Sequence, residues 1–227
     1  MFDFLKYKKT NFKAGGLLLD DTPLAKAEMD KLGIYKRAPK FIAPRRIDFR
    51  DMCLRSSNQG VSPHCAGYST AGFIEVQNWR TKHYPEQVNG DAIYREAKKI
   101  DNFNGNGTYL WATVKAAANL GLTSGKGKGV GSNRQDIQFA LHEFGVCLAG
   151  FIITSEWNSV DKKTGFIRDM AGNYETLGGH AVLLCGYDEN GIYIQNSWGE
   201  TWGLYGFAIL RWAQYDRQIS NAMVISP

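Results

Sequence analysis

Cysteine is scarce in this chain of 227 residues: there are four, at positions 53, 65, 147 and 185, widely spaced and with no Cys-x-x-Cys. That excludes a thiolate zinc cage and a dense disulfide framework, and it fits a reducing compartment. Proline is scarce too, six in all, and three of them (Pro23, Pro39 and Pro44) fall near the start. No apolar run approaches the roughly 18 to 20 residues a membrane helix needs, so no membrane span is expected. The opening residues Met-Phe-Asp-Phe-Leu-Lys-Tyr-Lys-Lys-Thr lack the apolar centre of a secretory signal. The expectation is a soluble chain, cytoplasmic by default, with a non-classical route of delivery left open. Charge of one sign is not abundant: the formal net charge is +5, and residues 1–46 hold 11 Lys and Arg against 5 Asp and Glu. No nucleic-acid-binding motif accompanies that basic stretch, so it reads as a solvated surface and no nucleic-acid partner is expected.

What the chain does have is 44% hydrophobic residues, 13% aromatics and 25 glycines. This combination points to large side chains packed among tight turns, as in a mixed α and β domain. Residues 1–46 read as an extended arm with one short helix over 22–32, where Thr22 caps and Pro23 takes the first helical position. Apolar residues recur on most faces from Cys65 to about Tyr84, the pattern of a helix buried in a lobe. Further helices are expected over 109–120, closed by Gly121, and over 133–144, where Ser132 and Gln135 have capping-box spacing and Gly145 stops the run. Strand-like runs follow at 146–154, 165–168, 180–187, 191–195 and 206–212, two of them joined by a turn at 188–191. The glycine-lysine run at 125–131 lacks the spacing of a phosphate-binding loop and reads as a mobile connector. The fold class is therefore α+β, a helical first half followed by an antiparallel sheet.

Nucleophilic catalysis by a thiol needs a cysteine held as thiolate, an imidazole beside it, a group that orients the imidazole and donors for the oxyanion. The sequence offers a candidate for each. Cys65 opens the buried helix, where free backbone N–H groups and the helix dipole favour a negative charge. Gln59 lies six residues upstream in a turn. His180 follows Gly178-Gly179, and Asn196 stands sixteen residues later, where hairpin pairing can bring the two side chains together.

The residues that carry these roles also carry a resemblance. Ile47-Asp48-Phe49-Arg50, Asn58-Gln59-Gly60 with Cys65, His180-Ala181-Val182 leading to Gly186-Tyr187, and Asn196-Ser197-Trp198-Gly199 followed by Trp202-Gly203 stand in the order and spacing of a papain-like cysteine peptidase. The similarity covers residues 47 to about 212, and the Cys65-Ala66-Gly67 sequence is similar to bacterial members. It implies two lobes with a cleft between them: a helical left lobe over 47–120 with the nucleophile, a β-rich right lobe over 121–227, and residues 1–46 as an extension. It implies peptide hydrolysis through an acyl-enzyme, without metal or organic cofactor, on a peptide or protein substrate. Cys65 would be the nucleophile, His180 its acid-base partner and Asn196 the residue that orients the ring. Gln59 with the Cys65 N–H would form the oxyanion hole, and Trp198 would shield the Asn-His bond. Gly107, Thr108 and Gly179 would line the substrate backbone, and Tyr109, Leu110, Ala149 and Ala181 an apolar pocket for the second residue before the scissile bond. Acyl transfer to an amine, or binding without catalysis, would use the same scaffold.

Three features depart from the family pattern. Val61-Ser62-Pro63-His64-Cys65-Ala66-Gly67 replaces the usual Cys-Gly-Ser-Cys-Trp, placing His64 beside the nucleophile as a polar rim residue. His180 follows Cys65 by 115 residues, short of the roughly 130 to 150 of the group, which implies a trimmed connector after Gly121. Residues 1–46 lack a long-helix pattern and are expected either to cover the cleft or to act as a permanent strap. Cys147 and Cys185 read as buried small hydrophobes and Cys53 as an exposed spectator.

Overall fold

The computed structural model describes residues 15–54, 56–84 and 86–226. The first 14 residues of the N-terminal extension lie outside the described residues. The described part of the extension opens with residues 15–18, which carry an isolated bridge at Leu17, and continues into helix α1 (Pro23–Leu32), where Thr22 caps by accepting from Ala25 N–H and Pro23 occupies the first turn. The chain then continues without helix or strand, apart from an isolated bridge at Ile34, to strand β1 (Ile47–Asp48). Three helices follow: α2 (Cys65–Lys82), α3 (Gly90–Ala97) and α4 (Leu110–Asn119). After them come β2 (Lys126–Val130), α5 (Arg134–Phe144), β3 (Cys147–Thr154), β4 (Thr176–Tyr187), β5 (Gly191–Gln195), β6 (Phe207–Arg211), α6 (Trp212–Gln218) and β7 (Ile219–Ser226).

The strands form one antiparallel sheet in the order β2-β7-β3-β4-β5-β6, with β1 added to β4. The α2 helix is buried along most of its first three turns and packs its N-terminal half on β4. Its crossing with α3 is tight. A side chain at Gly67 would stand 2.3 Å from the Gly90 carbonyl oxygen, and one at Gly90 would stand 2.8 Å from Tyr68 Cα. These glycines let the two backbones meet and fix where the N-terminus of α2 points.

Several elements correct the sequence reading. Residues 125–131 are no mobile connector: 126–130 are strand β2, in register with β7 from Lys126↔Ser226 to Val130↔Ala222. The glycines read as flexibility are there for close approach, since a side chain at Gly127 would fall 2.8 Å from Val114 on α4. The cap of α5 is Asn133, whose side chain accepts from Asp136 N–H, and not Ser132. Residues 165–168 make isolated bridges to Val160 and Ile209 and do not form a strand of their own. The run at 206–212 ends as strand at Arg211, and Trp212 opens α6. Helices α3 and α6 and strand β7 were not anticipated.

The extension is stitched to the body along its described length. Leu17 and Ala25 are buried in the core. Glu28 is bridged to Lys115 of α4. Gly129 N–H donates to Gly33 O at 2.9 Å, and Tyr35 N–H donates to Gly129 O at 2.8 Å. The Tyr35 ring stacks on Phe139 and meets Phe144 edge-on, Phe41 packs on Phe139, and Tyr187 Oη donates to Pro44 O at 2.8 Å. Among the described residues no helix is long and apolar enough to cross a membrane.

Candidate active site

The β4–β5 hairpin brings His180 and Asn196 together. Its register places Leu183 opposite Gln195, so the ends of the two strands converge, and His180 Nε2 lies 2.8 Å from Asn196 Oδ1. The same Asn196 oxygen accepts from Ser197 N–H at 2.8 Å, which fixes the amide's orientation. The pair is sealed by Trp198, whose ring centroid is 4.8 Å from that of His180, and by Trp157 set edge-on at 6.1 Å. With Nε2 committed to Asn196, the other ring nitrogen of His180 is buried and has no hydrogen-bond partner.

Cys65 is the first residue of α2 and is fully buried. Its Sγ accepts from Ala181 N–H at 3.5 Å, so the thiol lies against the backbone just after His180. Burial pushes the Cys65 thiol up to about 11, although N–H groups of Ala181, Ala66, Cys65 itself and Gly16 pull the other way. Burial pushes His180 down to about 4 against the opposing pull of Asn196. Both shifts run toward the neutral forms, thiol and imidazole.

Gln59 crosses from the helical side to the sheet: its N–H donates to Ser197 O at 2.8 Å, its Oε1 accepts from Ser197 Oγ at 2.6 Å, and its Nε2 donates to Ser62 O at 2.7 Å. His64 is a rim residue, half-buried, and turned away from the thiol. Its Nδ1 lies 2.6 Å from Asp91 Oδ1, and its ring stacks on Tyr94 at 3.9 Å. Tyr94 Oη in turn accepts from Gly107 N–H at 3.0 Å. Cys147 and Cys185 are buried as expected. Cys53 is not fully exposed: it is half-buried beside Cys185 and donates to Phe49 O at 3.5 Å.

What covers the cleft is the chain's own N-terminal segment. Gly15 and Leu17 donate to Gly179 O at 2.9 and 3.3 Å on one rim, and on the other Leu18 donates to Thr108 O at 3.0 Å while Thr108 donates to Gly16 O at 3.1 Å. The bridge between Leu17 and Thr108 is parallel. Gly16 passes directly over the nucleophile, where an added Cβ would be 2.9 Å from Cys65 Sγ and 2.4 Å from Pro63 O. Gly107, Thr108 and Gly179, expected to line a substrate backbone, all face this segment: a Cβ at Gly107 would lie 3.1 Å from Gly16 O.

The apolar pocket needs one correction. In an antiparallel ladder directly paired residues share a face, and Gly150 pairs with both Ala181 and Asn221. A side chain on Gly150 would collide with Leu17 Cδ2 at 2.5 Å and with Asn221 Oδ1 at 2.1 Å. Gly150 is therefore the β3 residue that faces the cleft, and Ala149, paired with Val182 and Ala222, stands on the opposite face. Ala181, paired with Gly150, shares its face of the sheet. Tyr109 stands at the entrance, its Oη 3.3 Å from Thr22 Oγ1, and Leu110 is buried at the start of α4. Gly150 and Asn221 were missed, because a one-residue change of register reverses every side chain of a strand.

This architecture agrees with comparisons to known proteins. The chain belongs to the papain family: the sequence model described as papain family cysteine protease matches residues 112–226. Xylellain, a cysteine protease from Xylella fastidiosa, superposes with a TM-score of 0.77 at 17% identity, covering 96% of this chain and 98% of that one. A procathepsin B from Trypanosoma congolense gives 0.73 at 13% identity over 94% of this chain and 86% of that one. In sequence, an uncharacterised peptidase C1-like protein of Acanthamoeba polyphaga mimivirus is 42% identical over 62 residues, 26% of this chain and 20% of that protein's length.

Proposed function

We propose that this chain is a cysteine endopeptidase that works through Cys65, His180 and Asn196, and that residues 15–22 hold it in a covered state. The observation that carries the reading is Gly16. A backbone that bonds both rims and crosses the thiol where no side chain fits occupies the space a scissile peptide needs. With the segment displaced, solvent and substrate reach the site, and the desolvation that keeps thiol and imidazole neutral is relieved. Cys65 would then transfer its proton to the unpartnered nitrogen of His180 and attack the carbonyl carbon. The Cys65 N–H and the Gln59 amide would bind the oxyanion, and the imidazolium would protonate the leaving amine. Water would hydrolyse the acyl-enzyme and regenerate the thiol. Leu17, seated against Gly150, supports a pocket preference for an aliphatic side chain.

The extension has two parts with different roles. Residues 23–46 are integral to the packing through Ala25, Tyr35 and Phe41, whereas residues 15–22 lie across the cleft. Control of access therefore belongs to the first part. The test uses the full chain, Gly16→Ala and Cys65→Ala with a fluorogenic peptide bearing Leu at the second position before the scissile bond. Hydrolysis at least tenfold faster in Gly16→Ala than in the native chain, and none in Cys65→Ala, is expected. Equal rates in the first two proteins would remove the covering role, and no hydrolysis by any of them would remove the peptidase reading.

A further inference from the structure

The cleft-crossing segment ends in a polar contact that its backbone bonds do not explain. Asn221 of β7 donates from Nδ2 to Asp20 Oδ2. The remaining oxygens of the same two side chains, Asp20 Oδ1 and Asn221 Oδ1, are both buried and both without a hydrogen-bond partner. Two acceptors cannot satisfy each other, and leaving two buried acceptors unpaired is costly. One proton on Asp20 resolves both at once. A carboxylic acid and a carboxamide form a closed two-bond pair in which each group donates once and accepts once.

We propose that Asp20 is protonated when residues 15–22 lie in the cleft, its Oδ1–H donating to Asn221 Oδ1 while Asn221 Nδ2 donates to Asp20 Oδ2, so that docking of the segment takes up one proton. The inference rests on the covered-cleft reading given above. The surroundings agree with it. Burial raises the Asp20 carboxyl above its ordinary range, Asn221 opposes this, and the neighbouring Asp21 adds to the rise. Among the described residues no cation acts on Asp20. Strand β7 contributes the neutral Asn221, β3 contributes Gly150, the α4 entrance contributes the Tyr109 phenol bound to Thr22, and the segment itself contributes Asp21.

The sign follows from linkage. A carboxyl whose docked pKa lies above its free value binds a proton on docking, so docking is tightest below the free value of about 3.9. It weakens by up to about tenfold per pH unit as the pH rises from there, and levels off once the docked carboxyl ionises. Through Asp20 alone the segment is held hardest in acid and least at neutral pH, while burial of His180 acts in the opposite sense below about pH 6.5. His180, kept neutral by burial, and the Cys65 thiol add pH dependences of their own. Those are common to the native chain and to Asp20→Asn, in which the carboxamide supplies the missing donor permanently.

The experiment measures hydrogen-exchange protection of the Leu17 and Leu18 amides in the full-length native chain and in Asp20→Asn from pH 3.5 to 7, with β3 and β4 amides as the folding control. The Asp20 carboxyl carbon is titrated by NMR in the native chain. The expected result is a native-to-variant protection ratio that falls by up to about tenfold per unit above pH 4 and then flattens, with Asp20 titrating above the ordinary aspartate value. A ratio independent of pH, or an Asp20 that titrates at or below the ordinary value, overturns the proton uptake while leaving the covered cleft intact. Absence of Leu17 and Leu18 protection at every pH in both proteins overturns the docked segment itself and this inference with it. If Asp20→Asn fails to fold, the titration of the native carboxyl decides alone.

Discussion

At the scale of single residues the site is a competition between burial and ionisation. A thiol at a helix N-terminus beside an imidazole is built to ionise, yet beneath Gly16 the Cys65 thiol stands at about 11 and His180 at about 4, both through burial. At pH 8 such a thiol is ionised roughly two orders of magnitude less than an ordinary cysteine near 8.5. His180 has the opposite sense from Asp20: its lowered value contributes stability to the covered form above about pH 6.5, and that contribution is lost as the pH falls toward 4. In a chain freed of its cover, His180→Ala is expected to lower kcat/KM by about 10² to 10⁴, the range for a general acid-base group, with the melting temperature showing that the fold survives. His64 serves as an internal control. It is held by Asp91 and Tyr94, so His64→Ala is expected to change kcat less than tenfold, and a loss as large as that of His180→Ala would show that it takes part in the chemistry. Cys65, His180, Asn196 and Gln59 could be singled out in the sequence because each combines a residue type with a local position, and the structure brings His180 to Asn196 and Cys65 to the backbone beside His180. Gly150 and Asn221 were not legible, since their place in the pocket depends on strand register.

At the scale of elements, legibility followed locality. Helix α1 was readable from Thr22 and Pro23, whose effects act within one turn, and α2 from apolar residues on all faces. Strand β2 was not, because Lys-Gly-Lys-Gly-Val has the composition of a linker, and only its distant partners, β7 and Val114, explain the glycines. Gly127→Val should therefore destabilise the fold by about 1 to 3 kcal/mol through overpacking against α4, although valine is the better strand former. Denaturant unfolding measures this, and an unchanged or higher midpoint would contradict the packing account. The cap of α5 was misplaced by one residue for a similar reason, since Ser132 and Asn133 are both good caps and the entry angle of the chain selects between them. Asn133→Ala is expected to cost about 1 kcal/mol, and Ser132→Ala little if its side chain alone is at issue. A thermal melt separates the two.

At the scale of the molecule, one chain supplies both the cleft and what fills it. Helix α2 opens with Cys65 and the loop before it holds Gln59, β4 carries His180 and Asn196 directly follows β5, and the N-terminal segment bonds both rims while continuing into α1 and the packing on α5. No sequence pattern could trace that path, because backbone hydrogen bonds to Gly179 and Thr108 are made without regard to side chain. The sequence allowed the expectation that residues 1–46 cover the cleft or act as a strap, but not which residues cross it; the place of Gly16 above the thiol comes from the structure. The most direct test of the covered site is alkylation by iodoacetamide at pH 5, with occupancy of all four cysteines read by peptide mass spectrometry in the full native chain and in Gly16→Ala. The account predicts that Cys65 resists labelling in the native chain and reacts selectively in Gly16→Ala, where the displaced segment frees the thiol to pair with His180 as thiolate and imidazolium, and that adding His180→Ala abolishes the selectivity. Labelling of Cys65 in the native chain as fast as in Gly16→Ala would contradict it.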